Sequence, residues 1–95
     1  MAAYFESVLY QDVIISINPE THSPDMTSWF PMYFPLKSPL FIPANSDIEL
    51  HIWRLTDSRK VWYEWSAIAL IDGQRIVSDS SAIHNKDGES SWIGL

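Results

Sequence analysis

The chain has no cysteine. That excludes disulfides and thiolate-bound metal, and it fits a reducing compartment. Glycine is scarce. Gly73, Gly88 and Gly94 stand alone, and none opens a Gly-rich strand-to-helix turn, so no phosphate or nucleotide cradle is encoded. Histidine is scattered as His22, His51 and His84, without the spacing of a metal site. Long apolar runs are absent: the longest is AIALI, residues 67–71. A bilayer-spanning helix needs roughly 20 such residues. The opening MAAYFESVLY has no basic stretch and carries Glu6, so no signal peptide is expected. Basic residues are few, six Lys and Arg against twelve Asp and Glu, for a formal charge of −6. An acidic chain repels phosphate backbones, so nucleic acid is not expected as a direct partner, and the short apolar runs give no expectation of a membrane. Arg- or Lys-rich segments fit the charge better. Finally, no window of helix length keeps an apolar period of 3.6 residues with caps.

Aromatic residues, by contrast, are plentiful: 14% of the chain, with five Trp. Ninety-five residues suit one small unit or a piece of a larger one. A chain of this length buries only about 60–65% of its unfolded surface, which makes for a marginal core. All six prolines, Pro19 to Pro43, fall in one stretch. Proline fixes φ and lacks an N–H, so residues 19–43 read as a connector and not as helix or interior sheet.

Strand patterns flank that connector. YFESVLY (4–10) and DVIISIN (12–18) precede it, the second with Val13, Ile15 and Ile17 on one face. Within it, WFPMYFP (29–35) is extended, with Pro31 marking an edge or bulge. After it, DIELHIWRL (47–55) places Ile48, Leu50 and Ile52 opposite Glu49, His51 and Trp53. TDSR (56–59) is a turn, and KVWYEWSAIAL (60–70) returns as the second arm of an antiparallel hairpin. Asp72-Gly73 signals a tight turn into RIVS. SAIHN (81–85) and ESSWIGL (89–95), joined by KDG, are expected to form a third hairpin. The fold class is all-β: an antiparallel barrel, or sandwich-like barrel fragment, of about seven or eight short strands. Strands at both chain boundaries are what a piece of a longer barrel would show.

Few residues carry chemistry. His22, Ser23 and Asp25 are neighbours on an extended chain, point apart and lack a nucleophile elbow, so they form a polar turn and not a triad. Glu49 and Glu64 could face each other across the hairpin, but two solvent-facing carboxylates are the commoner outcome, with Arg54, Arg59 and Lys60 as ion-pair partners. Trp53, Trp62, Tyr63 and Trp65 suit core and inter-sheet packing. Trp29 and Phe30 differ because they lie in the connector. A Trp face attracts guanidinium, and loop carbonyls with the Ser28 hydroxyl can accept its N–H groups. Packing remains an equal alternative on composition alone.

The stretch VLYQDVIISINPETHSPDMTSWFPMYFPLKSP (8–39) resembles the C-terminal β-barrel of type II protein arginine methyltransferases, which make symmetric dimethylarginine. The resemblance runs through HIWRLTDSRKVWYEW (51–65) and SAIHNKDGESSWIGL (81–95), and covers residues 4–66 and 81–95. It implies that Ser28, Trp29 and Phe30 bind the substrate arginine, with Trp29 as a wall of the tunnel. Thr27-Ser28-Trp29 keeps the Thr and Trp of a related Thr-His-Trp loop, with Ser in place of His; Thr27 stands where a larger apolar residue is expected. It implies further that the chain is a single C-terminal barrel segment, with an S-adenosyl-L-methionine-binding Rossmann domain and the catalytic glutamates upstream. The segment itself would then hold no catalytic residue, cofactor or metal. The partners implied are arginine-containing proteins such as histone tails or RGG-type segments, and further copies in a homo-oligomer, in cytoplasm and nucleus. Two other readings compete: a stand-alone acidic β-domain that captures basic peptides through exposed aromatics, and a purely structural oligomerisation module.

Overall fold

The computed structural model describes all of residues 1–95. It is all-β, with eight strands in antiparallel sheets and two short 3-10 turns. The chain divides into two compact units, Met1–Pro35 and Leu36–Leu95.

In the first unit, β1 (Ala2–Ala3) pairs with β4 (Met32–Tyr33), and β2 (Glu6–Tyr10) pairs with β3 (Val13–Ser16). The second pairing follows the β-branched alternation of 13–17. Its register shifts between Val8 and Tyr10, next to Gln11 at a left-handed φ of 50°. The β1–β4 pairing replaces the longer strand expected over 29–35. Pro31 and Pro35 bracket Met32, Tyr33 and Phe34, so the ladder is confined to this short stretch, of which Met32–Tyr33 form the strand. The N-terminal amine donates to Phe34 O at 2.8 Å, and Phe34 N donates back to Met1 O at 2.8 Å. Ile17 and Phe34 are the buried apolar residues of this unit.

The second unit is built on a long hairpin, β5 (Asp47–Thr56) and β6 (Lys60–Ile71), in register from Asp47 opposite Leu70 to Thr56 opposite Val61. Strand β6 is central. Its other edge is shared by β7 (Gln74–Ile76), an isolated bridge between Trp65 and His84, and β8 (Ile93–Gly94). Residues 64–69 are therefore all buried, and Trp65, Ala67, Ile68 and Ala69 form the apolar core. The turn from β6 to β7 has both Asp72 and Gly73 at positive φ, the geometry a two-residue hairpin demands.

The register settles two expectations. Glu49 lies opposite Ile68, and Glu64 opposite Trp53, so the two carboxylates do not face each other. Residues 81–85 and 89–95 do not pair with one another either: both run along β6, which offers the longer ladder. Asn85, Asp87 and Gly88 all take positive φ, which bends the segment away from a hairpin.

The β5–β6 turn is held by Asp57, whose Oδ1 accepts from Arg59 N at 2.7 Å and Lys60 N at 2.9 Å. The Arg59 amide bond, then that of Lys60, lowers the Asp57 carboxyl below its ordinary range. A carboxyl lowered in the folded state adds stability above its unfolded pKa and loses it as pH falls through the folded one. Asp57→Ala is therefore expected to lower the melting temperature at neutral pH. The gap between variant and wild type should close as the pH is taken below the usual aspartate range. A gap that stays constant in melts across that window would show that the carboxylate charge has no part in the turn.

Candidate functional site

Residues Ser28, Trp29 and Phe30 lie in the first unit, in an irregular segment between β3 and β4. Its start is tied down by polar side chains. Asn18 N donates to Ser16 Oγ (3.1 Å), Ser16 Oγ to Thr21 Oγ1 (2.8 Å), and Thr21 Oγ1 to a Glu6 carboxylate oxygen. The direction is fixed because a carboxylate can only accept. Ser16 N donates to Ser23 Oγ at 2.9 Å, and Ser23 N to Ser16 O at 2.9 Å. Asn18 Oδ1 accepts from Glu20 N at 3.0 Å. Ser16 is buried, and each of its polar groups is used. These bonds occupy the Ser23 hydroxyl. His22 Nδ1 meanwhile donates to Ser23 O at 2.9 Å, so the His22–Ser23–Asp25 turn is structural.

Beyond this knot the aromatics open outward. Trp29 is 57% exposed and Phe30 75%, and Ser28 is exposed as well. Phe5 meets Trp29 edge to face, with ring centroids 5.4 Å apart and planes at 79°. Tyr4, Tyr10 and Tyr33 of the same unit are also exposed. Residues 1–36 carry four acids, Glu6, Asp12, Glu20 and Asp25, and no Lys or Arg. An acidic, aromatic surface attracts cations through both charge and ring quadrupole.

The aromatics of the second unit are employed differently. Only Trp65 is a buried core residue. Trp53 stacks on His51 at 5.7 Å, on the face where His51 Nε2 donates to Glu49 Oε1 at 2.6 Å and Arg75 to the same oxygen at 2.8 Å. Those two bonds, the His51 one foremost, lower the Glu49 carboxyl. Trp62 uses its polar edge, donating Nε1–H to buried Glu64 Oε2 at 2.8 Å. Lys60 is not an ion-pair residue: its Nζ lies 4.9 Å from the Trp62 ring and 5.7 Å from Trp92, and donates to Asp87 O at 2.6 Å. The His84 ring stacks on Trp65, accepts Lys37 N–H at Nε2 (2.9 Å) and donates from Nδ1 to Trp65 O (3.2 Å). No cluster of three His, Asp or Glu side chains suited to a metal ion forms, and no helix is long and apolar enough to cross a membrane.

Sequence reasoning placed Trp29 and Phe30 in an irregular stretch but gave no sign of the Phe5 contact, since Phe5 sits 24 positions away from Trp29 and shares no periodicity with it. The uneven distribution of charge was available in the sequence and is the signal that marks the first unit.

An antiparallel β-domain with an exposed, tethered aromatic loop is thus the class that the fold defines. The family described as PRMT5 oligomerisation domain matches residues 1–93, and the chain belongs to that family. It is 47% identical over 95 residues to protein arginine N-methyltransferase skb1 of Schizosaccharomyces pombe, covering 94% of this chain and 15% of that protein. It is 46% identical over 94 residues to protein arginine N-methyltransferase 5 of Oryza sativa subsp. indica, covering 99% of this chain and 13% of that protein. The corresponding figures for protein arginine N-methyltransferase 5 of Xenopus laevis are 45%, 94 residues, 99% and 14%. The chain therefore spans about one seventh of the length of these relatives.

Proposed function

We propose that this chain is the C-terminal, substrate-side segment of a protein arginine methyltransferase of the symmetric-dimethylarginine type. In this reading it supplies Ser28, Trp29 and Phe30 to the pocket for a peptidyl arginine, together with packing for an oligomer. The observation that carries the reading is the exposure of Trp29 and Phe30 on a loop whose base is tied by the Ser16–Thr21 and Ser16–Ser23 hydrogen bonds. A fixed base with exposed rings suits recognition: the loop pays little ordering entropy when a ligand arrives. The acidic surroundings favour arginine-rich partners such as histone tails or RGG-type segments.

The segment alone does not transfer methyl groups. Methyl transfer from a sulfonium to a guanidinium is an in-line displacement, and its rate depends on holding both reactants in register. One wall with a hydroxyl cannot do that. S-adenosyl-L-methionine and the carboxylates that hold the guanidinium belong, in this reading, to an upstream domain, in an enzyme of cytoplasm and nucleus.

The test is Trp29→Ala in the full-length protein carrying this segment, with an arginine peptide as substrate. Cation–π contact is worth roughly 0.5–2 kcal/mol, so KM for the peptide should rise about 2- to 30-fold. KM for the cofactor should stay unchanged, and Trp29→Phe should recover part of the loss. Near-normal peptide kinetics in Trp29→Ala would remove the pocket role and leave an oligomerisation module.

A further inference from the structure

We infer that Phe5 is a positioning residue for the arginine wall: its ring fixes the orientation of the Trp29 indole. This rests on the reading of Trp29 as the surface that meets the guanidinium. Trp29 lies in a segment without regular structure, so no ladder restrains its backbone. Phe5 is held much more firmly. Its carbonyl accepts from Ile17 N at 3.0 Å, which continues the β2–β3 ladder by one step. Ile17 is buried, so this end of the hairpin is packed into the core of the unit. From that anchor the half-buried Phe5 ring reaches Trp29 at 5.4 Å and 79°.

Edge-to-face pairs of this kind have a preferred geometry, because the positive ring edge seeks the negative ring face. The contact therefore selects one setting of the indole among its rotamers, and still leaves 57% of the residue open. A wall that is already set gives a planar guanidinium its stacking surface without a reorientation cost. Without Phe5 the indole would keep its chemistry and lose its setting. The effect belongs to substrate binding, since Phe5 itself meets no reacting atom.

The experiment is a cycle of Phe5→Leu, Trp29→Ala and the double variant in the full-length protein, with Phe5→Tyr as the conservative control. An edge-to-face pair supports about a 2- to 10-fold rise in peptide KM for Phe5→Leu, with kcat and cofactor KM unchanged. Phe5→Tyr should keep the wild-type KM. The double variant should match Trp29→Ala, because an unset wall and a missing wall cannot both be lost. A second readout is independent of activity. In the full-length protein labelled with 15N-tryptophan, the Trp29 indole resonance, assigned with Trp29→Phe, should move in Phe5→Leu while the other Trp indoles stay. An unmoved Trp29 resonance, a wild-type KM in Phe5→Leu beside a raised one in Trp29→Ala, or additive losses in the double variant would each overturn the proposal. If Trp29→Ala itself leaves KM unchanged, the pocket reading fails and Phe5 loses its role with it. A moved resonance would then show that the ring contact exists without serving substrate.

Discussion

Gly88→Ala is expected to destabilise the chain by about 2–4 kcal/mol, enough to lower the melting temperature of a domain this size by roughly 10–25 °C. Two separate costs produce this. Gly88 has a φ of +64°, where an L side chain is strained by about 1–2 kcal/mol. A Cβ there would also lie 2.9 Å from Trp62 Cγ and 3.1 Å from both Trp62 Cβ and Lys60 Nζ. Cγ and Cβ are the root of the indole, so rotating the far end of the ring does not relieve the contact. Moving the root would pull Nε1 from Glu64, leaving a buried carboxylate with one partner fewer. It would also disturb Lys60, which the same indole faces. Gly73→Ala separates the terms. Gly73 has a φ of +76° and nothing within 4 Å of its added Cβ, so only the backbone strain applies. Urea unfolding followed by Trp fluorescence should rank Gly88→Ala well below Gly73→Ala. Equal losses would show that Trp62 yields freely and that the Lys60–Trp62–Glu64 arrangement is loose.

That arrangement also shows where sequence reading stops. The hairpin β5–β6 was legible because its information is local: alternation over 48–52, β-branched and aromatic residues in both arms, a polar turn at Asp57, and Asp72-Gly73 beyond. The loop aromatics were legible for a similar reason. Pro24 and Pro31 break any ladder around Trp29 and Phe30, so those rings could not sit in a sheet interior. The C-terminal stretch defeated the same logic. SAIHN and ESSWIGL have strand-like composition and a KDG turn, yet their partner is β6, chosen by tertiary contacts that composition does not encode. The positive φ of Asn85 and Asp87 is visible only in hindsight, as Asn and Asp tolerate that region without requiring it. Lys60 was misjudged because charge pattern suggests a carboxylate partner, whereas two indoles and a carbonyl take the ammonium instead. Family resemblance named Trp29 but could not supply its neighbour Phe5, which is a matter of packing.

Asn85→Ala should be the other large loss, about 2–4 kcal/mol, and for a different reason. Asn85 sits at φ 56° and ψ 37°, and its side chain makes four hydrogen bonds. Nδ2 donates to Tyr63 O and Ser91 O, each at 2.8 Å, while Oδ1 accepts from Ser90 N at 2.9 Å and Ser91 N at 3.0 Å. One amide group thus fastens the segment after it to β6 and closes the loop that leads to β8. Three of the four bonds are exposed, so water partly replaces them, and each contributes toward the low end of about 0.5–1.5 kcal/mol. The left-handed backbone adds about 1–2 kcal/mol once the residue is alanine. Asn85→Gly removes that strain but not the bonds, and should fall between wild type and Asn85→Ala. Asn85→Asp keeps the two acceptor bonds and the tolerated φ, but turns a carboxylate oxygen toward the carbonyls of Tyr63 and Ser91. It should therefore be worse than Asn85→Gly at neutral pH and recover on acidification, as a protonated carboxyl can donate again. If Asn85→Gly unfolds at the wild-type urea midpoint, the side-chain bonds contribute nothing and the residue is there for its φ alone. The predicted order is wild type, then Gly, then Ala and Asp. That order makes one side-chain amide a main fastening of this segment, beside the Trp65–His84 bridge and the β8 pairing, within a stretch whose apolar residues Ile83, Trp92 and Ile93 are all exposed.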